Sequence, residues 1–398
     1  MRVLILHNAY AQRGGEDVVV AAEADALRTR GHDVHTLIKD SAELHRSPAR
    51  GAVETLLTVH NPAAASELVG VVRTLRPDVV HVHNLFPRWG LSALRTLQQQ
   101  VVPTVQTLHN FRWLCAPATL LRDGVDCRLC TRGNFVHAVR YACVHQQRVV
   151  SAAYAAALTV NRATHLAEHA VHRFVCVSQF VRQQYLDAGF AAHKLSVKGH
   201  FVDSAPGAEG PGDGSILYAG RMSAEKGLPV LLRALTLLPG VTLKVLGDGP
   251  ERAGIEAALG NERTRVRFLG RLSRESLLME LRRSSVCVVP SVGSETFGLT
   301  ALEAFACGRP VVASATGGLP ELVHNGVNGW LVPRADAEAL ADRVGWLLEH
   351  PEAARAFGAA GQTMVQRAHL PASNMEILES IYQEAIVDAR GQSTREVS

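Results

Sequence analysis

No stretch of this 398-residue chain stays apolar for long enough to cross a bilayer. A spanning helix needs about 20 consecutive apolar residues, and the longest nearly uncharged stretch, residues 149–160, falls short of that. A recognisable export signal is also missing. Residues 1–7 form too short an apolar run and read as a first strand. Cysteine is scarce, with seven in all, which argues against a disulfide framework. The chain lacks the dinucleotide fingerprint too, because the pair Gly14-Gly15 has no third glycine at the required spacing. The expectation is a cytoplasmic protein with no nucleic-acid partner.

What is present suits an enzyme. Hydrophobic residues make up 47%, charged residues 20%, and there are 33 glycines, so the length divides into two or three domains with cores of their own. The net charge of +4 is unevenly spread. Residues 1–203 carry 22 Lys and Arg against 15 Asp and Glu, while residues 204–398 carry 19 against 22. Fifteen of the 18 histidines lie in the first half. A basic half is either an ordinary solvated surface or one that meets an anionic partner, such as a lipid phosphate or the inner membrane leaflet.

Short apolar, β-branched runs alternate with helical patterns twice along the chain. In the first half they are residues 3–7, 33–38, 78–82, 103–108 and 174–177. In the second half they are residues 215–219, 241–246, 266–269, 286–289 and 310–313. Such alternation predicts an α/β fold of two doubly wound parallel sheets. Residues 204–214, rich in Gly and Pro, read as the linker. The expected organisation is a Rossmann-like acceptor-binding domain over 1–203, a nucleotide-sugar-binding domain over 215–370, and a final helix over 371–390 crossing back to the first domain.

Ligands bind such sheets beyond the carboxyl ends of the strands, so the loops after strands are where chemistry belongs. Gly14 and Gly15 follow the first strand and let backbone N–H groups approach a phosphate or sugar oxygen; the alternative is a plain turn. Arg221 and Lys226 follow the first strand of the second half, spaced to close on one diphosphate, Arg as a planar fork and Lys as a point charge. Gly247-Asp248-Gly249-Pro250 and Leu269-Gly270-Arg271 also follow strands and can line a nucleotide pocket. Glu295 lies in the loop after residues 286–289, and Glu303 lies about a turn into the next helix. The start of that helix offers unpaired N–H groups and a positive dipole end, suited to a phosphate held between two carboxylates. His109-Asn110 follows residues 103–108, and His81 and His83 share a face of the preceding strand.

The ordered set Gly14-Gly15, Gly220-Arg221 with Glu225-Lys226-Gly227, Gly247-Asp248-Gly249-Pro250, Pro290-Ser291 with Glu295-Thr296-Phe297-Gly298-Leu299 and Glu303, and Gly317-Gly318 with Glu321 resembles the family 4 glycosyltransferases. The resemblance covers nearly the whole chain and is strongest over residues 215–333. It implies the GT-B fold, two Rossmann-like domains facing each other across a cleft, and a retaining transferase. Glu295 then contacts hydroxyls of the donor sugar, Glu303 holds the ribose, and Arg221 and Lys226 grip the diphosphate. Backbone groups of Phe297, Gly298, Leu299 and Thr300 assist, Gly14, Gly15 and Leu269 join the donor site, and His109 lies near the transferred sugar. Stabilising the departing diphosphate is the main catalytic task. No Asp-x-Asp pair is present, in agreement with a reaction that requires no metal cofactor. One departure is His200, where many members have Asn.

Cys115, Cys127, Cys130 and Cys143 sit in an Arg-rich insertion over residues 111–148. Their spacing suits a structural zinc site, with His137 or His145 as alternative ligands, or else four independently packed thiols. The insertion's basic character suits an anionic acceptor. The expected reaction is sugar transfer from a nucleoside diphosphate sugar to a glycan or lipid-linked acceptor, in cell-surface polysaccharide or glycoconjugate synthesis. A small-molecule acceptor and a nucleotide-sugar epimerase are the alternatives.

Overall fold

A computed structural model describes residues 1–11, 14–41, 57–208 and 210–396. Gln12 and Arg13 of the first loop and Glu209 of the proposed linker therefore lie outside the described residues. The chain divides into two compact units. The first comprises Met1–Leu120, Cys127–Gly199 and Met375–Ser398; the second comprises Leu121–Asp126 and His200–Asn374.

The first unit is built on six strands: β1 (Arg2–Ala9), β2 (Asp33–Asp40), β3 (Val79–Val82), β4 (Thr104–Leu108), β7 (Arg173–Cys176) and β8 (Leu195–Val197). All pair in parallel in the order β2-β1-β3-β4-β7-β8. Interior strands of a parallel sheet are covered on both faces, which is why β3 and β4 are buried at every position. The order reverses between β1 and β3, so the ends of these two strands flank the point where an open α/β sheet binds its ligand.

The second unit repeats the plan with β9 (Ile216–Ala219), β10 (Leu243–Leu246), β11 (Val266–Gly270), β12 (Val286–Val289), β13 (Val311–Ser314) and β14 (Gly329–Val332). Its order, β11-β10-β9-β12-β13-β14, is that of a dinucleotide-type Rossmann sheet, with the reversal between β9 and β12. Helix Leu228–Thr236 buries Leu228, Leu231 and Leu235 against this sheet at helical spacing. Strands β8 and β14 were absent from the sequence reading, because both are short and β14 opens on a glycine.

The boundaries differ from those expected. The described residues of the expected linker, 204–208 and 210–214, group with the second unit. Gly207 N–H donates to Ala306 O at 3.0 Å, Arg282 Nε donates to Gly207 O at 3.1 Å, and Asp213 accepts from Lys244 Nζ at 2.7 Å. Within the insertion, the hairpin of β5 (Leu121–Arg122) and β6 (Val125–Asp126) groups with the second unit, whereas the rest belongs to the first. The last helix, Pro371–Glu396, enters the first unit from Met375 onward. There Tyr382 is buried, its hydroxyl 2.8 Å from His81 Nδ1, and Glu379 accepts from Arg30 at 2.6 and 2.8 Å.

Candidate functional site

In the second unit, the loops that follow β9 and β12 are pulled together by backbone contacts. Val292 and Gly293 N–H both donate to Glu225 O, at 3.0 and 2.9 Å. Gly227 has a φ of +71°, and a Cβ there would sit 1.9 Å from Pro290 O, so only glycine permits this approach. The same holds at Gly317, with a φ of +62°, where a Cβ would lie 1.9 Å from Glu295 O. Gly318 N–H donates to that oxygen at 2.8 Å, which fixes the backbone of Glu295.

These constraints bring Lys226 to Glu295, which are 69 positions apart in sequence. Lys226 Nζ donates to Glu295 Oε1 at 2.7 Å, and Ser291 Oγ donates to the same oxygen at 2.6 Å. Burial alone would raise the Glu295 carboxyl, but Lys226 and the two hydrogen bonds hold it below the usual range. Burial likewise works against the Lys226 charge, and the Glu295 carboxylate more than offsets it, so the ammonium titrates above its ordinary value. Arg221 is exposed beside this pair, and its carbonyl accepts from the Tyr218 hydroxyl at 2.8 Å.

Helix Leu299–Ala306 begins after Gly298, which has a φ of 107° and no side chain to cap the first turn. Its leading N–H groups are of the kind that hold an anion. Thr300 is anchored instead by its hydroxyl, which donates to Ala219 O at 3.1 Å. Phe297 is buried and packs edge-on against His200 and His369, at 4.9 and 5.8 Å between centroids. The departure at His200 therefore serves packing of this turn. Glu303 is only 5% exposed, and burial pushes its carboxyl up to about 7 against the lowering influence of Arg274, while Asp203 raises it.

Three expectations change in detail. Leu269 lies inside β11 rather than after it, and the carbonyl of Gly270 is taken by Gly247 N–H at 2.7 Å. The loop at Gly247–Pro250 shapes the Arg221 loop, with Met222 N–H donating to Asp248 O at 3.0 Å. In the first unit, Gly14 N–H donates to Asp17 Oδ2 at 2.7 Å. Gly15 opens the following helix.

The first unit has a small, partly open cavity of its own at the carboxyl ends of β3 and β4. Glu16, His83, His109, Asn110, Arg112 and Trp113 are among its walls. Sequence reasoning placed His109 and His83 here but passed over Glu16 and Arg112; the only local signal for Glu16 was its position directly after the glycine pair. Glu16 Oε2 accepts from the Tyr10 hydroxyl at 2.9 Å, while Oε1 is buried with no hydrogen-bond partner. Burial pushes this carboxyl up to about 7, against the nearby His7 and the Tyr10 hydrogen bond. Arg112 stacks on Tyr154 at 4.8 Å, and its Nε is also buried without a partner. Two polar atoms left over on the walls of one cavity are what a polar ligand would satisfy.

The four cysteines are not joined in disulfides, with Cys115 buried and Cys127, Cys130 and Cys143 half-buried. Burial, followed by the Cys115, Cys127 and Cys143 thiols, pushes Cys130 up to about 12. Among the described residues, the set of three or more donor atoms lying within 4.8 Å of one another is Glu23, His81 and His83, and the four cysteines do not form such a set.

The family description "Glycosyltransferase Family 4" matches residues 13–205, and "Glycosyl transferases group 1" matches residues 213–350. The chain belongs to the family 4 glycosyltransferases. Like other members it has the GT-B fold, two Rossmann-like sheets of parallel strands. HepE from Anabaena, solved with UDP-glucose, superposes with a TM-score of 0.69 at 19% identity, over 96% of this chain and 100% of that one. Sucrose-phosphate synthase from Thermosynechococcus elongatus does so with a TM-score of 0.68 at 20% identity, over 100% and 99%. Curated relatives include D-inositol 3-phosphate glycosyltransferase of Mycolicibacterium smegmatis, 37% identical over 45% of this chain and 42% of that protein. The same enzyme of Mycolicibacterium paratuberculosis is 41% identical over 35% and 33%. The match thus spans a third to about two-fifths of the length of these curated relatives.

Proposed function

We propose that this family 4 glycosyltransferase transfers a sugar from a nucleoside diphosphate sugar to a hydroxyl acceptor, with retention at the anomeric carbon. The observation that carries the donor half is the Lys226–Glu295 pair beside the uncapped start of helix Leu299–Ala306. An ammonium, a guanidinium and a helix N-terminus together suit a diphosphate. They can take up the negative charge that develops on it as the glycosidic bond breaks, a task requiring no metal. Glu295 then holds hydroxyls of the donor sugar and Glu303 those of the ribose. HepE binding UDP-glucose supports a donor of this class. Incubation with a panel of nucleotide sugars, scored for binding and slow hydrolysis, tests the reading. Conversion of the donor into an epimeric nucleotide sugar, in the absence of any acceptor, would point to the epimerase instead.

A Glu303 carboxyl near 7 gives a pH signature. Its ionised form accepts a hydroxyl on each oxygen, in stronger hydrogen bonds than the neutral acid makes, so donor affinity should rise with pH as the carboxyl loses its proton. Charged groups facing it are Arg274 and Asp203, and the neighbouring Cys287 and Cys307 thiols stay protonated, pushed up by burial. Affinity for a nucleotide sugar, whose diphosphate does not titrate in this range, is expected to strengthen up to about 10-fold between pH 6 and 8. Calorimetric titration of Glu303→Gln should show a flat profile; a slope equal to that of the unaltered chain would remove Glu303 from the ribose site.

For the acceptor, the cavity of the first unit fits a hydroxylated molecule, with Glu16 and Arg112 as its polar contacts and His109 beside the reacting hydroxyl. A glycan or lipid-linked acceptor in cell-surface polysaccharide synthesis is the first reading. The name of the curated relatives favours a second, a small polyol phosphate.

A lipid-linked acceptor fits the surface of the insertion and the start of the helix Arg148–Thr164 that follows it. Leu129, Val136, Tyr141 and Val149 are 43%, 70%, 41% and 68% exposed, interleaved with exposed Arg128, Arg132, Arg140 and Arg148. Among the described residues no helix is long and apolar enough to cross a membrane. Apolar residues interspersed with arginine suit attachment to an anionic bilayer surface, such as the inner leaflet. The chain should co-sediment with vesicles containing phosphatidylglycerol and be released by salt. Val136→Glu with Val149→Glu should lose that binding; equal sedimentation with purely zwitterionic vesicles would refute it.

A further inference from the structure

Hydrophobic burial does not account for the conformation of the insertion. Among the described residues, none from 121 to 134 is buried. Regular structure between Cys115 and Cys143 amounts to the β5–β6 hairpin, with strands of two residues each, and the helix Val136–Arg140. A segment so poor in core needs a cross-link of another kind.

Backbone contacts tie its four cysteines together in pairs. Leu120 joins Cys115 to Cys127: its N–H is directed at Cys115 Sγ, and its carbonyl accepts from Cys127 N–H at 2.8 Å. Ala138 joins Cys130 to Cys143 in the same way. Its N–H, shared with Phe135 O at 3.0 Å, is directed at Cys130 Sγ, and its carbonyl accepts from Cys143 N–H at 3.0 Å. The N–H of Thr119 also reaches Cys115 Sγ. The two pairs are neighbours, because Cys115, Cys127 and Cys143 all lie close enough to act on the Cys130 thiol.

A neutral thiol is a weak acceptor, so N–H groups aimed at sulfur are better matched to thiolates. Four grouped sulfurs approached in this way are the donor set of a soft, redox-inert divalent cation, and N–H groups on the sulfurs are the outer support such ligands use. The other clustered donor set, Glu23, His81 and His83, is already satisfied. Lys198 Nζ donates to Glu23 Oε1 at 2.5 Å, and the His81 nitrogens lie 2.8 and 2.7 Å from the hydroxyls of Tyr382 and Thr107.

We propose that Cys115, Cys127, Cys130 and Cys143 bind one zinc ion that cross-links the insertion. No three of the four described sulfurs lie within 4.8 Å of one another, whereas thiolates on a tetrahedral zinc are about 3.8 Å apart. Binding therefore draws the sulfurs together, which a change of χ1 at the half-buried cysteines allows. Cys115 closely follows Arg112 and Trp113, which line the cavity, and its N–H donates to Phe111 O at 2.9 Å. The zinc thus also fixes one end of that wall.

The chain purified under reducing conditions from zinc-supplemented medium is expected to carry about one zinc per molecule by elemental analysis. Cys127→Ser and Cys130→Ser should each lose it. His137→Gln should keep it, although His137 Nδ1 is buried without a hydrogen-bond partner. Because a serine variant can fail to fold, the unaltered chain supplies two further readouts. Loaded with cobalt, it should show thiolate-to-metal charge transfer and the visible bands of a tetrahedral site. Iodoacetamide should label Cys127, Cys130 and Cys143 only after a chelator is added. Equal labelling with and without the chelator overturns the proposal, as does a disulfide between any two of the four, or a reduced chain that takes up no added zinc. Zinc retained in both serine variants places the ion elsewhere, and zinc lost from His137→Gln overturns the four-thiolate set.

Discussion

Replacing Glu295 by alanine is expected to lower turnover of the nucleotide sugar by about 100- to 1000-fold, the range typical of removing one preorganised polar group from a reacting centre. Nucleotide affinity should change much less. The reason lies in how the carboxylate is held. Its Oε1 accepts from Lys226 and Ser291, and Gly318 N–H fixes its backbone oxygen, so the group is oriented before any ligand arrives. The Lys226 ammonium also keeps it ionised at neutral pH, which suits an acceptor for sugar hydroxyls and a counter-charge to a cationic sugar, and excludes a general acid. Steady-state kinetics with the preferred donor, together with nucleotide titration, separates the two effects. A variant that turns over as fast as the unaltered chain would remove Glu295 from the chemistry.

Replacing Lys226 by alanine should differ by weakening both binding and rate. Its ammonium is proposed to meet the diphosphate in the bound donor and more strongly in the transition state, so kcat/KM should fall by about 10- to 100-fold, with a measurable loss in nucleotide affinity. Because Lys226 and Glu295 are in direct contact, the two substitutions cannot be independent. Without its partner, Glu295 keeps its burial and loses the charge that holds its carboxyl low, so Lys226→Ala also impairs the carboxylate. The double variant is therefore expected to be little worse than the poorer single one. Strict additivity in that cycle would mean that the pair does not work as a unit.

The second unit was the more legible of the two. Its strands are short β-branched runs, and its motif loops carry glycines that the backbone requires, at Gly227 and Gly317 for example. Both signals are local, and the loop of Arg221 and Lys226 lies where strand order predicts it. The first unit was legible as a sheet but not as a site. Nothing near Glu16 in sequence shows that one of its oxygens would be left buried beside Arg112. Nothing near Glu23 shows a lysine 175 positions away.

By itself, then, the sequence determined the repeated strand-and-helix plan and the loops that carry charge, because periodicity, turn chemistry and glycine conformation act over a few residues. The tertiary structure decided that Gly207 and Asp213 are hydrogen-bonded into the second unit, that Tyr382 of the last helix closes on His81, and that His83 lies between Glu23 and His109. These are contacts between distant segments. They depend on which strands pair and in what register, and on which polar groups burial then leaves only one another to satisfy.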